Sequence, residues 1–339
     1  TVSALDQTIN FTDLSGTVVI ANSGQITASQ EFTGLFPDSD SDKYALRLVK
    51  EAGQDTTIDF NNASGGTIST NAGNALVLSD FNGANDNVSF SNEGTISATQ
   101  DNAVDFTGAN VVSMTNQSGA TISAGGNYAL LVDGLSGASM VVSNLGTISA
   151  GATTVGNAPA AIHGALAASV SNISLTNGAG AVISSVGNAL ANSDANSGGA
   201  IFLDADGASL TIANSGTISV GTPTSGSTAA IESHNAIRVT DIGANAVTIT
   251  NSGAGSIKAE GDTAIYLKGD SAAISAITLI NSGTASMTAD NKLVLLEDIV
   301  GAQATISNSG SLRVTDSAAD HLLSFTDVSA DFSLTNSGT

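Results

Sequence analysis

The chain has 339 residues, 41% hydrophobic but only 4% aromatic and 11% charged, with no Cys and no Trp. That excludes disulfides and thiolate metal sites, and no apolar run approaches the ~18 residues of a membrane-spanning helix. Thirty acidic against 8 basic side chains leave a formal charge of −22, a field that repels phosphate backbones, so no nucleic acid is expected as partner.

Residues 1–25 carry no basic-then-apolar export signal, so the targeting segment of a secreted protein is expected outside this sequence. The first recurring element closes on Asn22. In the segment that follows, Asp38-Ser39-Asp40-Ser41-Asp42 sets three carboxylates at alternate positions. Clustered oxygens suit calcium, which makes Asp38, Asp40 and Asp42 a candidate cation site. An EF-hand loop would want Gly at 43 and Glu at 49, where Lys43 and Val49 stand, and a solvated acidic loop is the competing reading.

A second element type begins with Ala45-Leu46-Arg47-Leu48. It returns as Ala75-Leu76-Val77-Leu78, Ala103-Val104-Asp105-Phe106, Ala129-Leu130-Leu131-Val132, Ala200-Ile201-Phe202-Leu203, Ala236-Ile237-Arg238-Val239 and Ala264-Ile265-Tyr266-Leu267. Weaker copies are Ala161-Ile162-His163-Gly164, Leu293-Val294-Leu295 and Leu322-Leu323-Ser324-Phe325. Between these lie segments that alternate and end in Asn, such as Val88-Ser89-Phe90-Ser91-Asn92 and Leu210-Thr211-Ile212-Ala213-Asn214. Each is followed by a third type, such as Gly94-Thr95-Ile96-Ser97-Ala98. The Asn recurs at 22, 62, 92, 116, 144, 177, 214, 251, 281, 308 and 336, 24 to 40 residues apart.

Each unit therefore holds three short period-2 segments separated by Gly, Asn and Ser turns, and no helical period is sustained. Three strands per ~30 residues make one coil of a parallel β-helix. The sequence thus predicts an all-β, right-handed solenoid of about ten three-strand coils, one domain over residues 1–339, roughly 50 Å long at about 4.8 Å per coil. Ile58 and Phe60, Val88 and Phe90, Ile173 and Leu175, and Ile277 and Leu279 should point inward. Ile68, Ile96, Ile122, Ile148, Ile218 and Ile257 should form a ladder on the third side. Asn at its corner is predicted to take left-handed backbone angles and to stack its amides along the rod.

Runs such as Asn92-Glu93-Gly94-Thr95-Ile96-Ser97 and Asn214-Ser215-Gly216-Thr217-Ile218-Ser219 resemble the repeats of autotransporter passenger domains, the type V secreted surface proteins of Gram-negative bacteria. The resemblance runs from Asn22 to Thr339. It implies export through an outer-membrane β-barrel, folding outside the cell, extracellular display, and a role in adhesion, aggregation or enzyme display. The implied partners are a host or neighbouring-cell surface, through glycan or protein, or a second copy by self-association. The family's C-terminal barrel has no counterpart here, so the chain, which stops in mid-repeat at Asn336-Ser337-Gly338-Thr339, is read as part of a longer passenger, membrane-linked only through that barrel.

Function is expected at irregularities. Insertions near 28–44, 150–159, 184–199 and 219–235 all fall just before the Ala-led strand and should share one edge. The outward residues of that strand form a column of Arg47, Val77, Asp105, Leu131, His163, Phe202, Arg238, Tyr266 and Val294. Arg47, His163, Phe202, Arg238 and Tyr266 are the candidate ligand-binding residues, because an aromatic–Arg–aromatic strip can stack on sugar rings or hold an anion. The bland reading is that loops pack on them. No catalytic residue or cofactor is predicted: His163, His234 and His321 are scattered, no nucleophile elbow or phosphate loop occurs, and Asp105 has Val77 and Leu131 as column neighbours. A surface adhesin or display stalk is therefore the leading function. A carbohydrate-active β-helix, lyase or hydrolase, and an inert spacer for an enzyme elsewhere in the protein are the alternatives.

Overall fold

The computed structural model describes residues 2–4, 7–29, 43–135, 137, 139–151, 160–166, 170–186, 199–221, 234–270, 273–316 and 321–339. They form an all-β, right-handed parallel β-helix with three strands per coil and no helix among the described residues. Each of its three sheets has eleven strands, one more coil than the approximate ten read from the sequence. The additional pairing comes from the first residues, where β1 (Val2–Ala4) pairs with β4 (Gln25–Ala28) and β2 (Gln7–Leu14) pairs with β5 (Tyr44–Lys50). Sheet A holds the Gly-x-Ile strands, sheet B the Ala-led strands and sheet C the Asn-ended strands, and each strand pairs with its equivalents one coil away.

Alternation dictates which side chains enter the core. In β9 (Asn87–Asn92) Val88, Phe90 and Asn92 are buried while Asn87 and Ser89 are exposed. The register keeps like positions together: Ile68, Ile96, Ile122, Ile148, Ile183, Ile218 and Ile257 stack as one row. The aromatic residues of the core also meet. Phe60 and Phe90 stack at 5.1 Å, and Phe106 meets Phe90 edge-on at 5.8 Å. All the inward positions named from the sequence are buried. At the two ends of the stack, where a neighbour is missing on one side, inward positions open: Phe332 is 44% exposed and Leu334 50%.

The Asn row is a hydrogen-bonded ladder, but its backbone is not left-handed. Each Asn Nδ2 donates to the Oδ1 of the Asn one coil on, without a break from Asn22 to Asn336, at 2.7–2.8 Å. Among the described residues the positive-φ residues other than Gly are Asp13, Asp80, Asp206, Asp241, Asp298 and Asp327, all at the corner between sheets B and C. Asp tolerates this region better than most side chains. The kink lets the following residue turn inward: Phe81, Ile242 and Ile299 are fully buried after Asp80, Asp241 and Asp298, and Leu135 is so after Gly134. This fourth core row at a corner escapes a search for alternation. The Gly after the Asn has a different use. A Cβ on Gly94, Gly146 or Gly216 would lie 2.1–2.3 Å from a backbone carbonyl of the preceding coil.

Candidate functional site

The four insertions lie between strands of sheet A and sheet B. The described strands bracket them as β4 (Gln25–Ala28) and β5 (Tyr44–Lys50), β16 (Thr147–Ala150) and β17 (Ala160–Leu166), β19 (Val182–Val186) and β20 (Gly199–Asp204), and β22 (Thr217–Gly221) and β23 (Asn235–Ile242). Most other A-to-B links are short, as where β7 (Thr67–Thr70) reaches β8 (Asn74–Ser79) through residues 71–73; the last, from β31 (Ser311–Val314) to β32 (Leu323–Thr326), takes residues 315–322 and is nearly as long as the 151–159 link. The insertions themselves, with Asp38, Asp40 and Asp42, lie largely outside the described residues. Among the described residues no group of three His, Asp or Glu side chains could hold a metal ion.

The last three of these insertions lead into β17, β20 and β23, which carry His163, Phe202 and Arg238. Register sets His163, Phe202, Arg238 and Tyr266 side by side on successive coils. They touch in order. Tyr128 stacks on His163 at 4.4 Å and 13°, and His163 meets Phe202 at 4.9 Å. The Arg238 guanidinium lies 5.3 Å from the Phe202 ring centre and 5.2 Å from that of Tyr266. Tyr266 in β26 (Thr263–Gly269) then donates its hydroxyl to Glu297 Oε2 at 3.0 Å, and Lys268 Nζ donates to Glu297 Oε1 at 2.8 Å.

Two expectations need correction. Phe202 and Arg238 are not exposed outward groups: each is only 7% exposed. Ring faces are turned along the rod against one another, so the strip does not offer them to a sugar ring. Val294 is not in the column: it pairs with Ile265 and is buried, and Leu295 of β29 (Lys292–Glu297) stands beside Tyr266. The sequence copy Leu293-Val294-Leu295 lacks the leading Ala that would have fixed its phase. Arg47 stays apart, four coils or roughly 19 Å from His163, where it lies 5.7 Å from the Tyr44 ring.

Burial shapes the charges here. It pushes the His163 imidazole down to about 4, so the ring is neutral near pH 7, and its Nδ1 is buried without a hydrogen-bond partner. The Tyr266 hydroxyl is pushed up to about 12 by burial and by its hydrogen bond to Glu297. Burial pulls the Glu297 carboxyl upward, but hydrogen bonds from Lys268 and Tyr266 outweigh it and hold the group below its ordinary value. Burial lowers Arg238. Its Nε has no acceptor, and no carboxylate among the described residues forms an ion pair with it.

Tyr128 and Glu297 were not among the expected residues. Tyr128 precedes the Ala129 copy by one position, and it is one of only three tyrosines in the chain; that rarity was the available signal. Two carboxylate groups test the enzymatic alternative. Asp105 is buried and held by Asn74 at 3.1 Å, Asn102 at 3.4 Å and Thr107 at 2.5 Å. Asp204 is raised to about 6 by burial and by Asp241, with which it shares a hydrogen bond. Carboxyls that close lack the ~5–9.5 Å separation of glycoside hydrolysis. Comparison of the chain with protein-family models, with curated proteins and with solved structures gives no match.

Proposed function

We propose that this chain is the β-helical part of an extracellular surface protein of the autotransporter kind, and that it works by adhesion to a host or neighbouring cell. The observation that carries the reading is the placement of all four long insertions at one edge of an otherwise uniform rod. A rod whose links at its other two edges are shorter, with mostly Ser and Thr on the outward positions of sheets A and C, offers little specificity on those sides. The A–B edge concentrates chain length and, on the adjoining face of sheet B, the self-stacked strip from Tyr128 to Tyr266. Long loops on a rigid scaffold are a common form of binding surface. The strip then serves as a stiff floor beside the insertions. Zero Cys suits threading through a narrow pore, and the −22 charge suits a protein that must stay soluble when exposed.

The test is display of the chain through an outer-membrane anchor on cells that do not aggregate, followed by measurement of aggregation and of adhesion to immobilised glycans, proteins and host cells. Display is expected to confer adhesion. Trimming the four insertions to the length of the 71–73 link is expected to abolish it while circular dichroism still reports the β-rod. A displayed, folded chain that adheres to nothing overturns the reading, and adhesion unchanged by trimming removes the insertions from it.

A further inference from the structure

The Arg238 guanidinium is the most anomalous polar group among the described residues. It is one of only 8 basic side chains in a chain of charge −22, it is 7% exposed, and its two faces are covered by Phe202 and Tyr266. Yet its Nε is sealed from water with no acceptor, and no described carboxylate pairs with it. Burying a cation in this way is costly unless its donors are met. The rings satisfy the faces by cation–π contact but cannot accept the in-plane N–H groups. What the group lacks among the described residues is an acceptor for its N–H groups, and the partner that fits the two terminal nitrogens of a guanidinium with parallel hydrogen bonds is a carboxylate.

The nearby acids do not fill that place. Glu297 is already committed to Lys268 and to the Tyr266 hydroxyl, and Asp262 to Thr263 and Asn291. One and two coils from Arg238, the Tyr266–Lys268–Glu297 group is partly exposed, with Lys268 39% and Glu297 28% open at the side chain. It offers donors and acceptors together, which suits the hydroxyls of a sugar. A polyanion is disfavoured by the −22 field and by Glu297 and Asp298 beside Lys268. A peptide binding as an added strand would need a free sheet edge, whereas along the side of this rod every strand is paired on both sides.

We infer that Arg238 is the subsite for the single carboxylate of an acidic sugar on an otherwise uncharged glycan, with the neighbouring hydroxyls met by Lys268 and Glu297. This rests on the adhesive reading and specifies its ligand. The test uses the purified chain and a disaccharide of one glucuronate joined to one neutral hexose, followed by saturation-transfer NMR and titration. Its methyl ester and acetate serve as comparison probes. Binding of the free acid, at least about ten-fold tighter than the ester, supports the assignment, and so does its loss in Arg238→Lys, which keeps the charge but not the planar fork. Equal binding of acid and ester overturns the carboxylate subsite. Acetate binding as tightly as the disaccharide overturns the sugar. No binding of the acid overturns both, even if displayed cells still adhere, which would leave the adhesive reading standing with a different ligand. The ester comparison needs no variant, so a misfolded Arg238→Lys protein leaves the outcome decided.

Discussion

A single amide does several jobs at each coil. Asn144 Nδ2 donates to Asn177 Oδ1 at 2.8 Å and to the Val182 carbonyl at 3.0 Å, and its Oδ1 accepts from Asn116 at 2.8 Å and from the Gly146 N–H at 3.3 Å. Asn144→Asp keeps the shape but removes both donated bonds and buries a charge facing two oxygens. A loss of about 3 kcal/mol is expected at pH 7, read as a lowered urea midpoint that recovers partly on acidification. Lys50 is a second such case. It pairs in register with Leu14 at the B–C corner, where other coils place apolar side chains, and its ammonium meets Asp86. Asp86 also accepts from Thr56 N at 2.8 Å and Gly83 N at 2.6 Å. Lys50→Met fits the corner but strands a buried carboxylate, so about 3–5 kcal/mol should be lost in the same unfolding measurement. The Asn ladder was legible because its residue and phase recur. The Lys50–Asp86 pair was not, since a whole coil of three strands, with links of unequal length, separates two residues that stand 36 positions apart and recur in no other coil.

At the scale of the strand, sheet B sets opposite pH responses on its outer face. His163 is lowered from 6.5 to about 4, so its charged form is penalised in the fold, and that penalty is absent above 6.5 and grows as pH falls toward 4. Asp204 is raised from 3.8 to about 6, so its charged form is penalised instead. Its penalty is absent at low pH and grows as pH rises from about 4 through 6. Thermal melts should therefore find Asp204→Asn more stable than the parent at pH 7–8, with the gain fading by pH 4. His163→Phe should show the reverse, gaining only below about 6.5. A pH-independent difference for either would refute the assigned cause. Sequence phase alone placed His163, Phe202, Arg238 and Tyr266 on neighbouring coils, because an Ala at a fixed offset marks each strand. It could not tell that these rings would face one another, since period-2 patterning says which side a residue takes and not how its side chain turns. Nor could it see the corner row of Phe81, Leu135, Ile242 and Ile299, where one left-handed residue breaks the alternation.

For the whole molecule, nearly every interaction is with the coil before or after, so the rod behaves as a stack of short-range interfaces. That is why composition and repeat were enough for the fold: alternation, a corner Asn and a tight Gly recur in almost every coil. Site chemistry was less legible because it rests on departures from the repeat, each occurring once. The trimming experiment addresses those departures directly, since loops of very different length leave the same strands in register on either side.

The unbroken file of asparagines also makes coils exchangeable. Without residues 93–116, Asn92 would face Asn144 as it now faces Asn116, with no donor or acceptor left over at the join. Duplicating or excising such a block would change the reach of the molecule in increments of about 4.8 Å, while leaving its cross-section and its wall chemistry as they were. Reach is then a property that heredity can adjust independently of whatever the A–B edge grips.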